Sequence, residues 1–225
     1  KSNGFERNIQ SLRIIDKLEK KYFGYDGLNL CFETREGVLK RCPRKIAPKF
    51  GAVADRFVFG GQPSLEAQIS NIADEIAYNH HDLDDGLRSG LITIEEILGL
   101  KAAENAAKEV LSLGCRRSMD KSIVNAEIIR RMINSQIEDL VYQTKKNVSS
   151  FAVTSLTDVR SSASQIVSFS PKTKDNVREL KSFLMHRLYK NPKVRALTDA
   201  AEIVIEDLFS LFFNEKKFEG KDPIK

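Results

Sequence analysis

Apolar residues recur along most of this chain at intervals of three and four positions, the spacing that places them on one face of an α-helix. In the first such stretch Ile9, Leu12 and Ile15 share a face, and Gly24 with Gly27 ends the pattern. The same spacing and its start signals predict helices over residues 8–20, 28–39, 64–85, a short one opening at 93, 102–113, 122–145, 174–190 and 193–213. With no internal repeat or low-complexity tract, the pattern predicts an all-α fold.

Three stretches fall outside this pattern. Residues 35–49 hold six basic residues and two prolines and predict a basic loop, for which a solvated surface loop is the favoured interpretation. Residues 51–61 are bounded by glycines and predict a connector. Residues 149–170 are rich in Ser, Thr and Val, and we expect them to be the least regular part.

The last predicted helix ends in the apolar run LFSLFF, residues 208–213. The favoured interpretation is a helix buried against the body of the protein, because large apolar side chains are usually inside. A helical scaffold for oligomerisation is the alternative.

Composition is that of a globular protein: 225 residues, of which 41% are hydrophobic and 30% charged. The net charge of +5 is a mild excess that leaves a phosphate-bearing substrate or a nucleic acid possible. No run of about 18 apolar residues exists, so we expect no membrane span. The first residues do not resemble a signal peptide, and Cys31, Cys42 and Cys115 show no CxxC spacing. We therefore expect a cytoplasmic protein.

The predicted helix over residues 64–85 gathers acidic residues and two of the three histidines. Its Asp74, Tyr78 and Asp82 are four positions apart and form one row on the helix surface. Apolar neighbours such as Ile76 predict that the row is buried, where carboxylates need a metal, a cation or hydrogen bonds. Ion pairing with Lys or Arg of neighbouring helices is the structural alternative. A His81–Asp82 metal pair, or a surface metal cluster over residues 80–85, is also open.

The stretch ADEIAYNHHDLDDGLRSGLIT, residues 73–93, resembles the C-terminal signature of the deoxyguanosine triphosphate triphosphohydrolases of the HD superfamily. The flanks are similar to family blocks in family order: residues 4–19, 26–40, 63–69, 128–134 and 180–194. The resemblance covers nearly the whole chain. It implies the C-terminal portion of an all-α HD-domain core over residues 1–146 and a helical C-terminal extension over residues 147–225.

The family resemblance implies hydrolysis of dGTP or another deoxynucleoside triphosphate to the deoxynucleoside and inorganic triphosphate. The reaction would use a divalent metal such as Mg²⁺ or Mn²⁺. Asp74 matches a metal ligand of the family, while Tyr78 would pack beside the deoxyribose and Asp82 would accept a hydrogen bond from its 3′-hydroxyl. By the same resemblance, His81–Asp82 is not the metal-binding His-Asp pair.

The chain departs from the family at its front, where the metal-binding histidine and the true His-Asp pair normally lie upstream of Gly4. Three of four ligands are absent from the chain, and a lone carboxylate cannot hold a catalytic metal, so we expect this polypeptide alone to be inactive. Arg7 stands where the family often has a histidine; it could bind phosphate or pair with Glu6.

Arg130 and Arg131 lie in a block whose family counterpart is beside the nucleotide. One of them could reach the triphosphate, and an ion pair with Glu127 is the slightly favoured alternative. The resemblance also implies a homo-oligomer, and a nucleotide effector or single-stranded DNA is a possible further partner. The rival function is a non-catalytic HD-like helical module that binds nucleotide or single-stranded nucleic acid.

Overall fold

A computed structural model of the chain describes residues 5–112 and 120–214, and every regular element within these ranges is a helix. The predicted all-α fold is confirmed. The α-helices are α1 (Arg7–Arg13), α2 (Phe32–Val38), α3 (Arg56–Phe59), α4 (Leu65–Arg88), α5 (Ile94–Leu98), α6 (Lys101–Ser112), α7 (Lys121–Ser150), α8 (Leu156–Ser161), α9 (Pro171–Leu184) and α10 (Pro192–Asn214). Single π-helical turns, Ile14–Leu18 and Met185–Tyr189, continue α1 and α9, and a 3₁₀-helix spans Ala47–Ala54. Gly4 and Cys115 lie outside the described residues, and Cys31 and Cys42 are free thiols.

The long helices predicted from the apolar spacing are confirmed, with ends shifted by a few residues. The predicted basic loop is confirmed over residues 39–46, between α2 and the 3₁₀-helix, and its two ends lie in these helices. The predicted connector over residues 51–61 is instead mostly helical, because it holds the end of the 3₁₀-helix and α3. A proline in the first turn, here Pro48, does not interrupt a helix, because the amide that it lacks would have had no partner there.

The start of α4 is fixed by two polar side chains. The Ser64 hydroxyl accepts the amide of Ala67 at 3.3 Å, as predicted for a capping serine. Gln68 is 1% exposed, and its side-chain oxygen accepts the amides of Ile166 and Val167 at 2.9 and 3.1 Å. These bonds hold the first turn of α4 against the segment that precedes α9.

The largest apolar core lies among α4, α5, α6, α7 and α9. Its fully buried members include Leu83, Ile97, Met132, Leu180 and Leu184. Each such side chain stabilises the fold by about 1.5 to 3 kcal/mol relative to an exposed position. This core holds the second half of α4 rigidly against α9, the two helices that carry most of the site described below.

A smaller core packs α1 and α2 against the 3₁₀-helix through Leu12, Leu39 and Val53. A third cluster joins Ile76 of α4 to Leu140 of α7 and to residues just before and within α9. The predicted domain boundary after residue 146 falls inside α7. The division into 1–146 and 147–225 stays a prediction.

The final helix, α10, lies away from these cores. Leu197, Phe209 and Phe213 are 74, 67 and 77% exposed, so the prediction of a buried last helix is wrong. Runs of three consecutive apolar residues, at 203–205 and 211–213, point in directions about 100° apart, and one neighbour cannot cover all of them. Over the described residues, no helix combines the length and apolarity needed to cross a membrane.

Candidate active-site wall on helix α4

Asp74, Tyr78 and Asp82 follow one another along one side of α4, as their spacing predicts. The prediction that apolar neighbours bury this row is wrong. The Asp74 side chain is 65% exposed and Tyr78 is 42% exposed. The buried side of α4 is centred on Ile76 and Leu83, and the row lies beside that side rather than on it. Asp74 and Tyr78 therefore need no partner to offset burial, whereas Asp82 is half-buried.

Asp74 meets a cation from outside α4. The ammonium of Lys40, just after α2, lies 3.1 Å from its carboxylate, and Lys40 itself is exposed over about a third of its side chain. Exposed pairs of this kind contribute about 0 to 1 kcal/mol. The Asp74 carboxylate is thus held only weakly and is available to a stronger cation.

Lys181 of α9 lies beside the middle of the row. Its ammonium donates to the Glu75 carboxylate at 3.0 Å. This hydrogen bond raises the pKa of Lys181, with a smaller contribution from the Tyr78 hydroxyl. A fixed positive charge therefore lies next to Tyr78.

Asp82 is bonded by Tyr189, the last residue of the π-helical turn that follows α9. π-helical turns inside α-helices often occur at functional sites, and here the Tyr189 hydroxyl donates to the Asp82 carboxylate. Burial, and then Asp82 itself, raise the pKa of the Tyr189 phenol, so it is protonated at neutral pH. A carboxylate can accept several hydrogen bonds, so Asp82 keeps room for a further donor.

The described residues do not form a metal centre by themselves. Across residues 5–112 and 120–214, no three His, Cys, Asp or Glu side chains are grouped so as to hold an ion. The hypothesis of a surface metal cluster over residues 80–85 is therefore wrong, because neighbouring helical side chains diverge. Asp74 alone is one carboxylate ligand, and we derive no reaction step through a metal from this chain.

The candidate arginines lie on other helices than the row, Arg7 on α1 and the other two on α7. Arg130 and Arg131 of α7 both donate to Glu127, Arg131 at 3.0 Å, which supports the ion-pair alternative for both. Arg7 is exposed at the start of α1, where the Glu6 carboxylate accepts the amide of Ile9 and caps the helix. Within the described residues, these arginines make no hydrogen bond or ion pair with Asp74, Tyr78 or Asp82.

Lys40, Lys181 and Tyr189 were missed from the sequence. Lys40 and Tyr189 contact the row, and Lys181 lies beside it. In sequence, each of them is between 34 and 107 positions away from the α4 residue to which it is bonded. Helical periodicity cannot reveal such contacts. The one available signal was that all three fall inside the stretches at residues 26–40 and 180–194 that resemble family blocks.

The chain is similar in sequence to a described protein family and to several curated proteins. A family model described as the phosphohydrolase-associated domain matches residues 167–221. The deoxyguanosinetriphosphate triphosphohydrolase-like protein of Thiobacillus denitrificans is 48% identical over 95% of this chain and 56% of its own length. Its namesake in Ralstonia nicotianae is 44% identical over 98% of this chain and 57% of its own length. That of Nitrosomonas europaea is 41% identical over 94% and 56%.

The chain therefore spans a little more than half the length of these curated relatives. The similarity covers nearly the whole of this chain, including the row on α4. On these grounds the chain belongs to the deoxyguanosinetriphosphate triphosphohydrolase-like family.

Proposed function

We propose that this chain forms one wall of the active site of a metal-dependent deoxynucleoside triphosphate triphosphohydrolase. The reaction converts dGTP or another deoxynucleoside triphosphate to the deoxynucleoside and inorganic triphosphate. The names of the relatives support the type of reaction. The row on α4 supports the position of the active site in this chain. Because the chain spans only part of its relatives, the activity is proposed for the longer protein.

One observation carries the proposal: Asp74 and Tyr78 are exposed and Asp82 is partly exposed along one side of α4, beside Lys40 and Lys181. A nucleotide has an anionic end and a sugar end, and this strip offers cations and hydrogen-bonding groups within one helix length. Asp74 has an exposed ion pair with Lys40, and Asp82 accepts a hydrogen bond from Tyr189.

Asp82 and Tyr78 would bind the sugar. Asp82 would accept a hydrogen bond from the deoxyribose 3′-hydroxyl while Tyr189 continues to donate to it. The exposed ring of Tyr78 provides an apolar surface for the sugar. The Lys181 ammonium, on the neighbouring helix α9, would meet a phosphate of the same nucleotide.

Asp74 would be one ligand of a divalent ion such as Mg²⁺ or Mn²⁺, with the remaining ligands supplied by the part of the protein that this chain does not span. When bound, the ion would supply charge stabilisation at the phosphate oxygens and a more acidic water. Lys40 would then give up its contact with Asp74 and become available to the triphosphate. Arg7, Arg130 and Arg131 stay candidates for phosphate contacts.

The test is an assay of the longer protein, this chain joined to the rest of its relatives' length. Each of the four deoxynucleoside triphosphates is incubated with Mg²⁺ or Mn²⁺, with and without a second nucleotide as effector, and the products are separated by ion-exchange chromatography. We expect deoxynucleoside and inorganic triphosphate in equal amounts. Nucleotide binding without any triphosphate release would contradict the proposal and favour the non-catalytic binding module.

A further inference from the structure

An open groove of about 630 Å³ runs between α4 and α7, beside the row but distinct from it. It is lined mainly by apolar side chains, among them Ile69, Ala73, Ala77, Ile133, Ile137 and Val141. Ile69, Ile137 and Val141 are 45 to 48% exposed. Along α7 the lining runs from residue 126 to 141, about 22 Å at the helical rise. Apolar surface of this extent beside a core is typical of an interface.

One residue of the groove wall, His80, has a ring nitrogen that is buried beneath the groove surface and lacks a partner among the described residues. His80 is 1% exposed and lines the groove; its Nδ1 lies 2.7 Å from the carbonyl oxygen of Ile76. A carbonyl only accepts, so Nδ1 carries the proton and Nε2 is a bare acceptor. Burial lowers the pKa of His80, which keeps the ring neutral. Nε2 has no hydrogen-bond partner among the described residues, an arrangement that costs about 1 to 3 kcal/mol when buried.

We propose that this groove seats an amphipathic helix from the portion of the family's length that this chain does not span. The relatives extend well beyond the matched span, which covers only 56 to 57% of their length. About 15 residues of helix would fill the 22 Å groove. Ala73 and Ala77 leave space for a close approach, because helices pack nearer where side chains are small.

The groove borders the row on α4. Ala73, Ala77 and His81 line it, and each precedes a member of the row by one residue. A seated helix would therefore lie along the edge of the row and could help to complete the site there. That last step rests on the proposed function; the docking itself does not.

The test uses two cysteine variants on α7, two positions apart. Ile137→Cys places a thiol in the groove, whereas Ser135→Cys places one at an exposed position on the opposite side of the helix. Labelling by a maleimide is followed by peptide mass spectrometry, which separates these thiols from the native cysteines. Each variant is made both in the 225-residue chain and in the longer protein.

We expect both thiols to react readily in the 225-residue chain. In the longer protein Ile137→Cys should react at least about tenfold more slowly, with Ser135→Cys unchanged. Equal labelling of Ile137→Cys in the two lengths would overturn the inference. Protection in the 225-residue chain that grows over about a hundredfold range of concentration would assign the groove to a second copy instead. Neither readout uses activity, so the inference and the proposed function can fail separately.

Discussion

Glu36 and Asp74 are two carboxylates that each meet a cation from another segment, in opposite surroundings. Glu36 is 1% exposed and accepts two hydrogen bonds from the Arg160 guanidinium, at 2.9 and 3.0 Å. The Asp74 side chain is 65% exposed and meets Lys40 at 3.1 Å. Breaking a buried pair costs several kcal/mol, whereas an exposed pair contributes 1 kcal/mol or less. The charge of Glu36 is committed to the fold, and that of Asp74 is available for function.

The two acids are also linked through α2. Arg56 donates to the carbonyl oxygens of Glu36 and Leu39, at 3.2 and 2.6 Å, and so fixes the end of α2. Lys40 follows directly and reaches across to Asp74. The buried ion cluster thus positions the cation that meets the exposed acid. Variants of Glu36 and of Asp74 should therefore separate the structural role of the first acid from the proposed functional role of the second.

The largest expected effect is that of Asp74→Asn on activity. In the longer protein this change removes a ligand charge from the proposed metal, and deoxynucleoside release should fall by at least about 100-fold. The control is Asp85→Asn, an exposed acid near the end of the same helix, which should leave the rate unchanged. Product release is measured by chromatography. Equal rates for the two variants would remove Asp74 from the site.

Next is the effect of Glu36→Gln on stability. The Arg160 guanidinium would lose its carboxylate, and we expect a loss of about 3 kcal/mol in the free energy of unfolding, measured by urea denaturation. Arg160 is partly exposed, which places the value at the lower end of the range for buried pairs. Glu33→Gln, an exposed change on the same helix, should cost less than about 0.5 kcal/mol. A loss no larger than that of the control would show that the pair is dispensable.

A smaller effect is expected for Tyr189→Phe. Removal of the hydroxyl that donates to Asp82 should cost about 1 kcal/mol at neutral pH. The pKa of Tyr189 is raised in the folded state, so this contribution is complete below the unfolded tyrosine pKa of about 10 and is lost as pH rises through the folded pKa. Unfolding of wild type and variant is compared at pH 7 and at alkaline pH. A difference that grew with pH would contradict the assignment.

The smallest effect is that of Lys40→Gln on stability. Its contact with Asp74 is exposed, so the free energy of unfolding should change by less than about 0.5 kcal/mol. The midpoint in urea should also respond little to added salt, since there is little pair energy to screen. A loss as large as that of Glu36→Gln would mean that Asp74 is also held for structural reasons.

Local signals predicted much of this fold. Apolar spacing located the helices, and Ser64 and Thr93 marked the starts of α4 and α5, where both side chains accept amides of the first turn. The row on α4 followed from helical geometry and its candidate roles from the family resemblance. Spacing gives the direction of a side chain, however, and not what lies opposite, so the exposure of the row was mispredicted.

Contacts distant in sequence could not be predicted. Glu36 and Arg160 are 124 positions apart, and Tyr189 reaches Asp82 over 107. The exposure of α10 also escaped prediction, because an apolar helix can be buried by its own chain or by another. These features depend on tertiary packing, which no local pattern records.

The most direct test of the account measures Glu36→Gln and Asp74→Asn side by side in the longer protein, for both urea midpoint and deoxynucleoside release. We predict that Glu36→Gln lowers the midpoint while the protein that stays folded remains active. Asp74→Asn should keep the midpoint and lose activity. If Asp74→Asn instead unfolds the protein, or keeps the wild-type rate while folded, the exposed row on α4 is not the wall of an active site.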